Sequence, residues 1–336
     1  MKLNKYENNP ILLPNESNDW ENLCVLNPAV WYEKNDDTFY MLYRAAGNTI
    51  EHYIYLGLAT SKDGFNFQRK FEKPVLSPSK DNCDGGGIED PRVIKMGDWY
   101  YVTYASRPYA PGRYWLNECK PWFNPPKGGP KFLTDNGTLT HLAITQNFVD
   151  YKKLGRITDS RSDDRDVIIF PEKIDSKYVK LSRPMNWYGK GYPCKNPSIW
   201  ISYSDDLMEW EKPQLLMEGI EWWESLKIGG SCPPIKTKDG WFFMYHGVAE
   251  KDKAYRVGAV LLDLKNPSII IKRTKDFIME PELDYETKGY YNGCVFPTAN
   301  VVKDNTLFVY YGAADKFVCA ATVNFKEFIK YLVKDC

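Results

Sequence analysis

A carboxylic acid set among cations is the first chemistry the sequence offers. Glu89, Asp90 and Arg92 stand in one short run, and Asn27, Glu172, Ser231 and Phe296 occupy comparable places elsewhere. Arg44, Arg107, Arg183, His246 and Asp315 form a second series, each a little downstream of a member of the first. Gathered around one point, these residues would place a proton-donating carboxyl opposite several positive groups. That combination fits cleavage of a glycosidic bond. If water is the nucleophile, a second carboxylate must act as base. If phosphate is the nucleophile no base is needed, but Arg, Lys or His groups must hold the anion. The cation-rich set favours phosphate. Two blander readings compete with it: a buried ion-pair network, and a non-catalytic sugar-binding protein.

The residues can meet only if the chain repeats. Pro28, Pro91, Pro171, Pro234 and Pro297 each precede a polar turn and an aromatic-rich run with strand alternation. Three of the four intervals between them are 63 residues and one is 80. The longer interval holds a Pro- and Gly-rich stretch, residues 107–130, which reads as a long loop. The turns, such as Asp239-Gly240 and Asp304-Asn305, suit hairpins. About four antiparallel strands per copy and five copies predict an all-β chain, a single five-bladed β-propeller over 1–336. The last copy lacks an outer strand. Residues 9–14 resemble that missing piece and are expected to supply it, closing the ring. In a propeller the starts of first strands and the ends of second strands share one mouth, so the two residue series converge there.

Composition narrows the rest. The 336 residues carry 44 Lys plus Arg and 44 Asp plus Glu. That balance argues against nucleic acid or an anionic membrane surface as partner. No apolar run is long enough for a membrane helix, and the charged N-terminus is unlike a signal peptide, so a cytoplasmic protein is expected. The eight cysteines and three histidines have no metal-site spacing, which predicts reduced thiols, no metal and no cofactor.

The motifs in their order resemble glycoside hydrolase family 130, the β-mannoside phosphorylases and β-mannosidases, which are five-bladed propellers. The resemblance rests on Asn27-Pro28-Ala29, Tyr43-Arg44-Ala45, Gly87-Ile-Glu-Asp-Pro-Arg92, Phe170-Pro-Glu-Lys173, Arg183-Pro184, Lys227-Ile-Gly-Gly230, Tyr245-His-Gly247, Gly258-Ala259 and Tyr310-Tyr-Gly-Ala-Ala-Asp315. It implies that Asp90 is the general acid, and that Asn27, Arg44 and Asp315 hold the mannose, with Glu89 and Arg92 beside them. Arg165, Lys227, Arg183 and His246 would bind inorganic phosphate as co-substrate. Attack with inversion would convert a β-1,2- or β-1,4-linked manno-oligosaccharide to α-mannose 1-phosphate. Relatives carry His where this chain has Ser182. Glu224, just ahead of Lys227, is the candidate base if the enzyme is instead an inverting β-mannosidase. The aromatic loop with Tyr109, Tyr114, Trp115, Trp122 and Phe123 is a candidate wall for the acceptor sugars, and equally a surface lid or the contact of a homo-oligomer.

Overall fold

The protein's structure, a computed structural model, describes residues 1–79, 84–113, 115–116 and 127–336. The expected aromatic wall residues Tyr114, Trp122 and Phe123 lie outside them.

The chain is nearly all-β, as the alternation of aromatic and β-branched residues predicts. Five successive runs of antiparallel strands follow one another. The first comprises Cys24–Glu33, Thr38–Ala46, Ile54–Ser61 and the short Gln68–Arg69. The second comprises Gly87–Met96, Trp99–Arg107, Leu139–Thr145 and Lys152–Arg156, joined to the first by one parallel bridge, Ile54 to Gly87. The third runs from Asp164–Ile169 through Tyr178–Pro184 and Ile199–Ser204 to Gln214–Met217. The fourth opens on Lys227–Gly230 and Ile235–Lys236, and continues through Trp241–Val248 and Tyr255–Leu262 to Ile270–Arg273. The fifth has Val295–Lys303, Thr306–Ala313 and Phe317–Asn324, and its outermost strand is the N-terminal Asn4–Lys5.

The N-terminal closing strand is thus nearer the start of the chain than residues 9–14. Asn4 and Lys5 pair with Thr322 and Ala321, and Leu12 adds a single bridge to Val318. The segment Phe325–Asp335, without strand pairing, is a helix. Asn324 caps it by accepting from the Glu327 N–H, and Phe328, Ile329 and Leu332 at helical spacing are buried against the fourth and fifth runs.

The proline repeat needs one correction. In the first, second and fifth runs the first strand changes register beside Pro28, Pro91 and Pro297. In the third run the same bulge falls at residues 165–168, without a proline. Pro171 and Pro234 sit beyond the equivalent point. Glu172, expected at the mouth, is instead half-exposed and paired with Lys236.

Neighbouring runs pack face to face through apolar cores. Phe242, Met244 and Val257 meet Val295, Leu307 and Val309, and Phe39 and Met41 meet Val301 and Phe308. Inside four of the five runs one polar device recurs. A fully buried carboxylate precedes the first strand, a tyrosine of the second strand donates to it, and a cation of the outermost strand pairs with it. The sets are Glu21–Tyr43–Arg69, Asp84–Tyr104–Lys153, Glu224–Tyr245–Arg273 and Glu286–Tyr311–Lys5. Tyr43 and Tyr245 lie over Gly57 and Gly258, which face them across the strand pair. A Cβ there would sit 2.2 Å and 2.5 Å from the rings, so no other residue fits without displacing the tyrosine. Glu224, the candidate hydrolytic base, is therefore consumed by structure. Its carboxylate accepts from Tyr245 Oη at 2.6 Å, Arg273 Nη2 at 2.6 Å and the Ile220 and Glu221 N–H groups.

Breaking a buried pair from one side leaves a charge without its counter-ion. Lys5→Met is accordingly expected to destabilise the protein by about 3 kcal/mol in urea unfolding, because Glu286 is fully buried. Glu224→Gln is expected to lower stability similarly, while the folded fraction keeps its turnover. A loss of turnover with unchanged stability would restore Glu224 as a base.

Candidate functional site

The bulges of the first strands re-aim side chains. Asn27, Asp90 and Asp166 occupy the bulged position in three runs, with φ of 44°, 48° and 55°. Left-handed backbone at residues other than glycine costs about 1–3 kcal/mol each and persists where the surroundings enforce it. All three side chains face one cavity of about 550 Å³. Its lining also includes Arg44, Glu89, Arg107, Arg165, Arg183, Lys227 and Asp315. Eight of the eleven expected site residues are thus brought together; Arg92, His246 and Glu224 are not among the lining.

On one flank a single Asp90 oxygen, Oδ1, accepts from Asn27 Nδ2 at 2.7 Å and Arg44 Nη1 at 2.8 Å. Among the described residues Oδ2 accepts no hydrogen bond. Burial pushes the carboxyl upward, but Arg44, Arg92 and the Asn27 bond outweigh it and hold it below the usual carboxylate range. Glu89 bridges Arg44 at 3.3 Å and Arg107 at 3.2 Å. Arg92 works from behind: it donates to the Asp90 carbonyl at 2.7 Å and to the Ser231 carbonyl at 3.1 Å. It braces the bulge and does not reach the cavity, so its expected contact with substrate is corrected to a support role. Asp315, in a tight turn at φ 55°, makes no hydrogen bond or ion pair among the described residues. Burial, with Asp90 and Glu89 nearby, raises it to about 6 against the pull of Arg44 and Lys227.

On the opposite flank Arg165 is held by Asp163 at 3.0 Å and stays one-third exposed toward the cavity. Arg183 is clamped on Asp166. Lys227 forms no hydrogen bond or ion pair among the described residues, and its ammonium lies 5.1 Å from the Tyr255 ring. Burial lowers it to about 7, with Arg183 and Arg165 adding to the shift and Asp166 opposing it. His246 is fully buried 3.5 Å behind Asp166 and is pushed down to about 3, mainly by burial. His246 therefore stands behind the lining of the cavity, next to Asp166. Gly229 makes this arrangement possible: a Cβ there would stand 2.4 Å from Asp166 Oδ2 and 2.6 Å from the His246 ring.

Asp166, next to Arg165, is a site residue that the sequence does not signal. It pairs with Arg183, His246 and Arg92 at once and thereby ties three runs together. The missing signal was the proline: Asn27 and Asp90 precede one, and Asp166 precedes Val167. Tyr255, Tyr291, Cys294 and Phe296 complete the wall. Of the aromatic loop, Trp115 packs edge-on against His52 at 4.8 Å and on Tyr290 at 4.8 Å, and Pro111 lines the cavity. Among the described residues no cluster of His, Cys, Asp or Glu could hold a metal, and no helix is long and apolar enough to cross a membrane.

Similarity to known proteins runs over nearly the whole chain. The profile of glycoside hydrolase family 130, described as β-1,4-mannooligosaccharide phosphorylase, matches residues 2–124 and 132–334. The chain is 38% identical over 97% of its length to 1,2-β-oligomannan phosphorylase of Thermoanaerobacter sp., covering 99% of that protein. It is 36% identical over 98% of its length to β-1,2-mannobiose phosphorylase of the same organism, again covering 99%. Among solved structures, β-1,2-mannobiose phosphorylase from Listeria innocua in complex with β-1,2-mannobiose superposes with a TM-score of 0.80 at 27% identity, over 99% of both chains. With nearly its whole length matched by the family profile and by relatives at 38% and 36% identity, the chain belongs to glycoside hydrolase family 130.

Proposed function

We propose that the protein is an inverting β-mannoside phosphorylase, a single five-bladed propeller that releases α-mannose 1-phosphate from manno-oligosaccharides. The observation that carries this reading is the division of the cavity. A carboxyl lies on one flank, and Arg165, Arg183 and Lys227, whose ammonium makes no ion pair among the described residues, lie on the other. The β-1,2 linkage is favoured because the relatives at 38% and 36% identity carry that linkage in their names.

In this reading Asn27, Arg44 and Asp315 bind the hydroxyls of the terminal mannose. Glu89 positions Arg44, and Arg92 positions Asp90. Phosphate sits between Arg165, Arg183 and Lys227 and attacks the anomeric carbon as the glycosidic bond breaks. Asp90 supplies the proton to the departing oxygen, directly or through a sugar hydroxyl, and phosphate's own proton restores it. Bound sugar replaces water around Asp90 and draws Arg44 onto hydroxyl groups. Both changes move that carboxyl toward its protonated form, which the open site disfavours. The hydrolytic alternative loses its named base, because Glu224 bonds Tyr245 and Arg273 away from the cavity. A sugar-binding protein without catalysis would have no use for three cations opposite an acid.

Incubation with β-1,2-mannobiose should yield mannose 1-phosphate, seen by ³¹P NMR, only when phosphate is added. Free mannose at the same rate without phosphate would refute phosphorolysis. Asp90→Asn is expected to lower kcat by roughly 10²–10⁴-fold, the usual contribution of a general acid.

The second expectation concerns pH. Lys227 gives up its proton near 7 in the open site, so its attraction for phosphate fades as pH rises. Between about pH 7 and 9 the phosphate KM should climb more steeply in the wild type than in Lys227→Met. Ionisation of phosphate itself is common to both proteins, so the difference isolates the lysine. Parallel profiles would remove Lys227 from the anion site.

A further inference from the structure

The longest interval of the repeat carries a cation to which the reaction above gives no task. Arg107 is the last residue of the strand Trp99–Arg107, and it lines the cavity. It stands opposite Gly87, whereas Glu89 pairs with Ala105, so Arg107 lies nearer the mouth than Glu89 and Asp90. Its Nε donates to Glu89 Oε1 at 3.2 Å and its Nη1 to the Asn136 carbonyl at 3.0 Å. Nη2 makes no hydrogen bond among the described residues. Burial holds the guanidinium below its usual proton affinity, with Glu89 opposing the shift. A donor that has lost water and still has N–H groups to give gains from a ligand oxygen.

The guanidinium is fixed from behind. Asn136 is buried at φ 51°, a left-handed conformation that asparagine tolerates. Its side chain accepts from the Tyr109 N–H at 2.9 Å and donates to the Tyr109 carbonyl at 3.0 Å. The Gly86 N–H donates to the Arg107 carbonyl at 2.8 Å, and a Cβ on Gly86 would stand 1.9 Å from the Tyr109 carbonyl oxygen. Both ends of the long insertion are thus tied together at the cavity wall. The plane of Arg107 is set by the protein before any ligand arrives. Such a fork binds hydroxyl oxygens at little ordering cost.

Its place in the cavity says which hydroxyls. In the phosphorylase reading, phosphate approaches the anomeric carbon from Arg165, Arg183 and Lys227. Inversion sends the departing sugar out on the other side, past Asp90. Arg107 belongs to the same strand run as Asp90 and shares Glu89 with Arg44 on that side. Arg44 faces the terminal mannose deep in the cavity, and Arg107 faces the space between that mannose and the mouth.

We infer that Arg107 is a specificity-determining residue that binds hydroxyls of the departing sugar, and hence of the acceptor when the reaction runs in reverse. The inference rests on the β-mannoside phosphorylase reading above. The reverse reaction isolates it. An acceptor hydroxyl oxygen bonds to C1 of α-mannose 1-phosphate, phosphate leaves C1, and the hydroxyl proton passes to Asp90. Phosphate release is followed with mannose or β-1,2-mannobiose, whichever the wild type accepts. In Arg107→Ala the acceptor KM should rise about 10–100-fold, the worth of a hydrogen bond to a charged group. The KM for α-mannose 1-phosphate should stay close to the wild-type value, whereas a general loss of structure would raise both. Monodeoxymannoses give a second readout. A deoxy sugar that the wild type uses poorly should become nearly as good as mannose in Arg107→Ala, and Arg107→Lys should restore part of the difference. An unchanged acceptor KM, or the same deoxy preference in variant and wild type, overturns the assignment and leaves phosphorolysis intact. If Arg107→Ala does not fold, Arg107→Lys, which keeps the charge beside Glu89 but lacks the fork, carries the same comparison. If the wild type releases no phosphate with either acceptor, the functional reading fails and this inference with it.

Discussion

A carboxylate buried without its counter-ion costs several kcal/mol, and in four of the five strand runs a fully buried carboxylate precedes the first strand. Each is neutralised by a cation that comes from the outermost strand of its own run. Because the acid precedes the first strand and the tyrosine belongs to the second, each set ties the inner edge of a run to its outer edge. In the fifth run the cation is Lys5, some 281 residues earlier in the chain than Glu286. The N-terminal strand is thus held by a specific charge as well as by two backbone pairs. The third run has Ser182 before Arg183, where the first and fourth have Tyr43 before Arg44 and Tyr245 before His246. Its buried Lys180 instead donates to the Ile157 carbonyl beneath the site.

With the runs fixed from inside to outside, the inner strands can carry strain. The bulges at Asn27, Asp90 and Asp166 place polar side chains where a regular ladder would have turned them away. Two of the bulges are braced by neighbouring runs: Arg92 reaches from the second to the fourth, and Asp166, which accepts from Arg183 of its own run, lies against Arg92 of the second and His246 of the fourth. The cavity is therefore assembled across sheets. No single run contains both the acid and the cations that face it.

Much of this was legible in the sequence because repetition converts spacing into position. The 63-residue offset between Asn27 and Asp90 is the offset between two side chains that share a hydrogen bond. The all-β class followed from alternation, and the convergence of first-strand starts with second-strand ends followed from antiparallel geometry. What the sequence hid was direction within the site. Arg92 and His246 are of the right type and in the right series, yet one braces a carbonyl and the other is packed against Phe296. Glu224 looked like a free acid because its partners, Tyr245 and Arg273, lie 21 and 49 residues away. The four acid–tyrosine separations, 20 to 25 residues, form a pattern only after the pairs are known. The C-terminal helix differs: its helical spacing and its Asn324 cap are local signals that lie outside the strand repeat.

The cation flank also bears on water as the nucleophile. A base must hold a free lone pair and a carboxyl not already committed to positive charge. Two acids touch those cations: Asp163, already paired with Arg165, and Asp166, which cannot serve. Arg183, His246 and Arg92 surround it, and they hold it well below the usual carboxylate range despite complete burial. Its proton affinity is spent on structure, as that of Glu224 is. Among the described residues, a cation on this flank with no hydrogen bond or ion pair from its ammonium is Lys227, whose charge burial has weakened. An incoming anion would restore that charge, whereas a water molecule would gain nothing from it. The asymmetry is electrostatic and local, and it favours a nucleophile that carries its own negative charge.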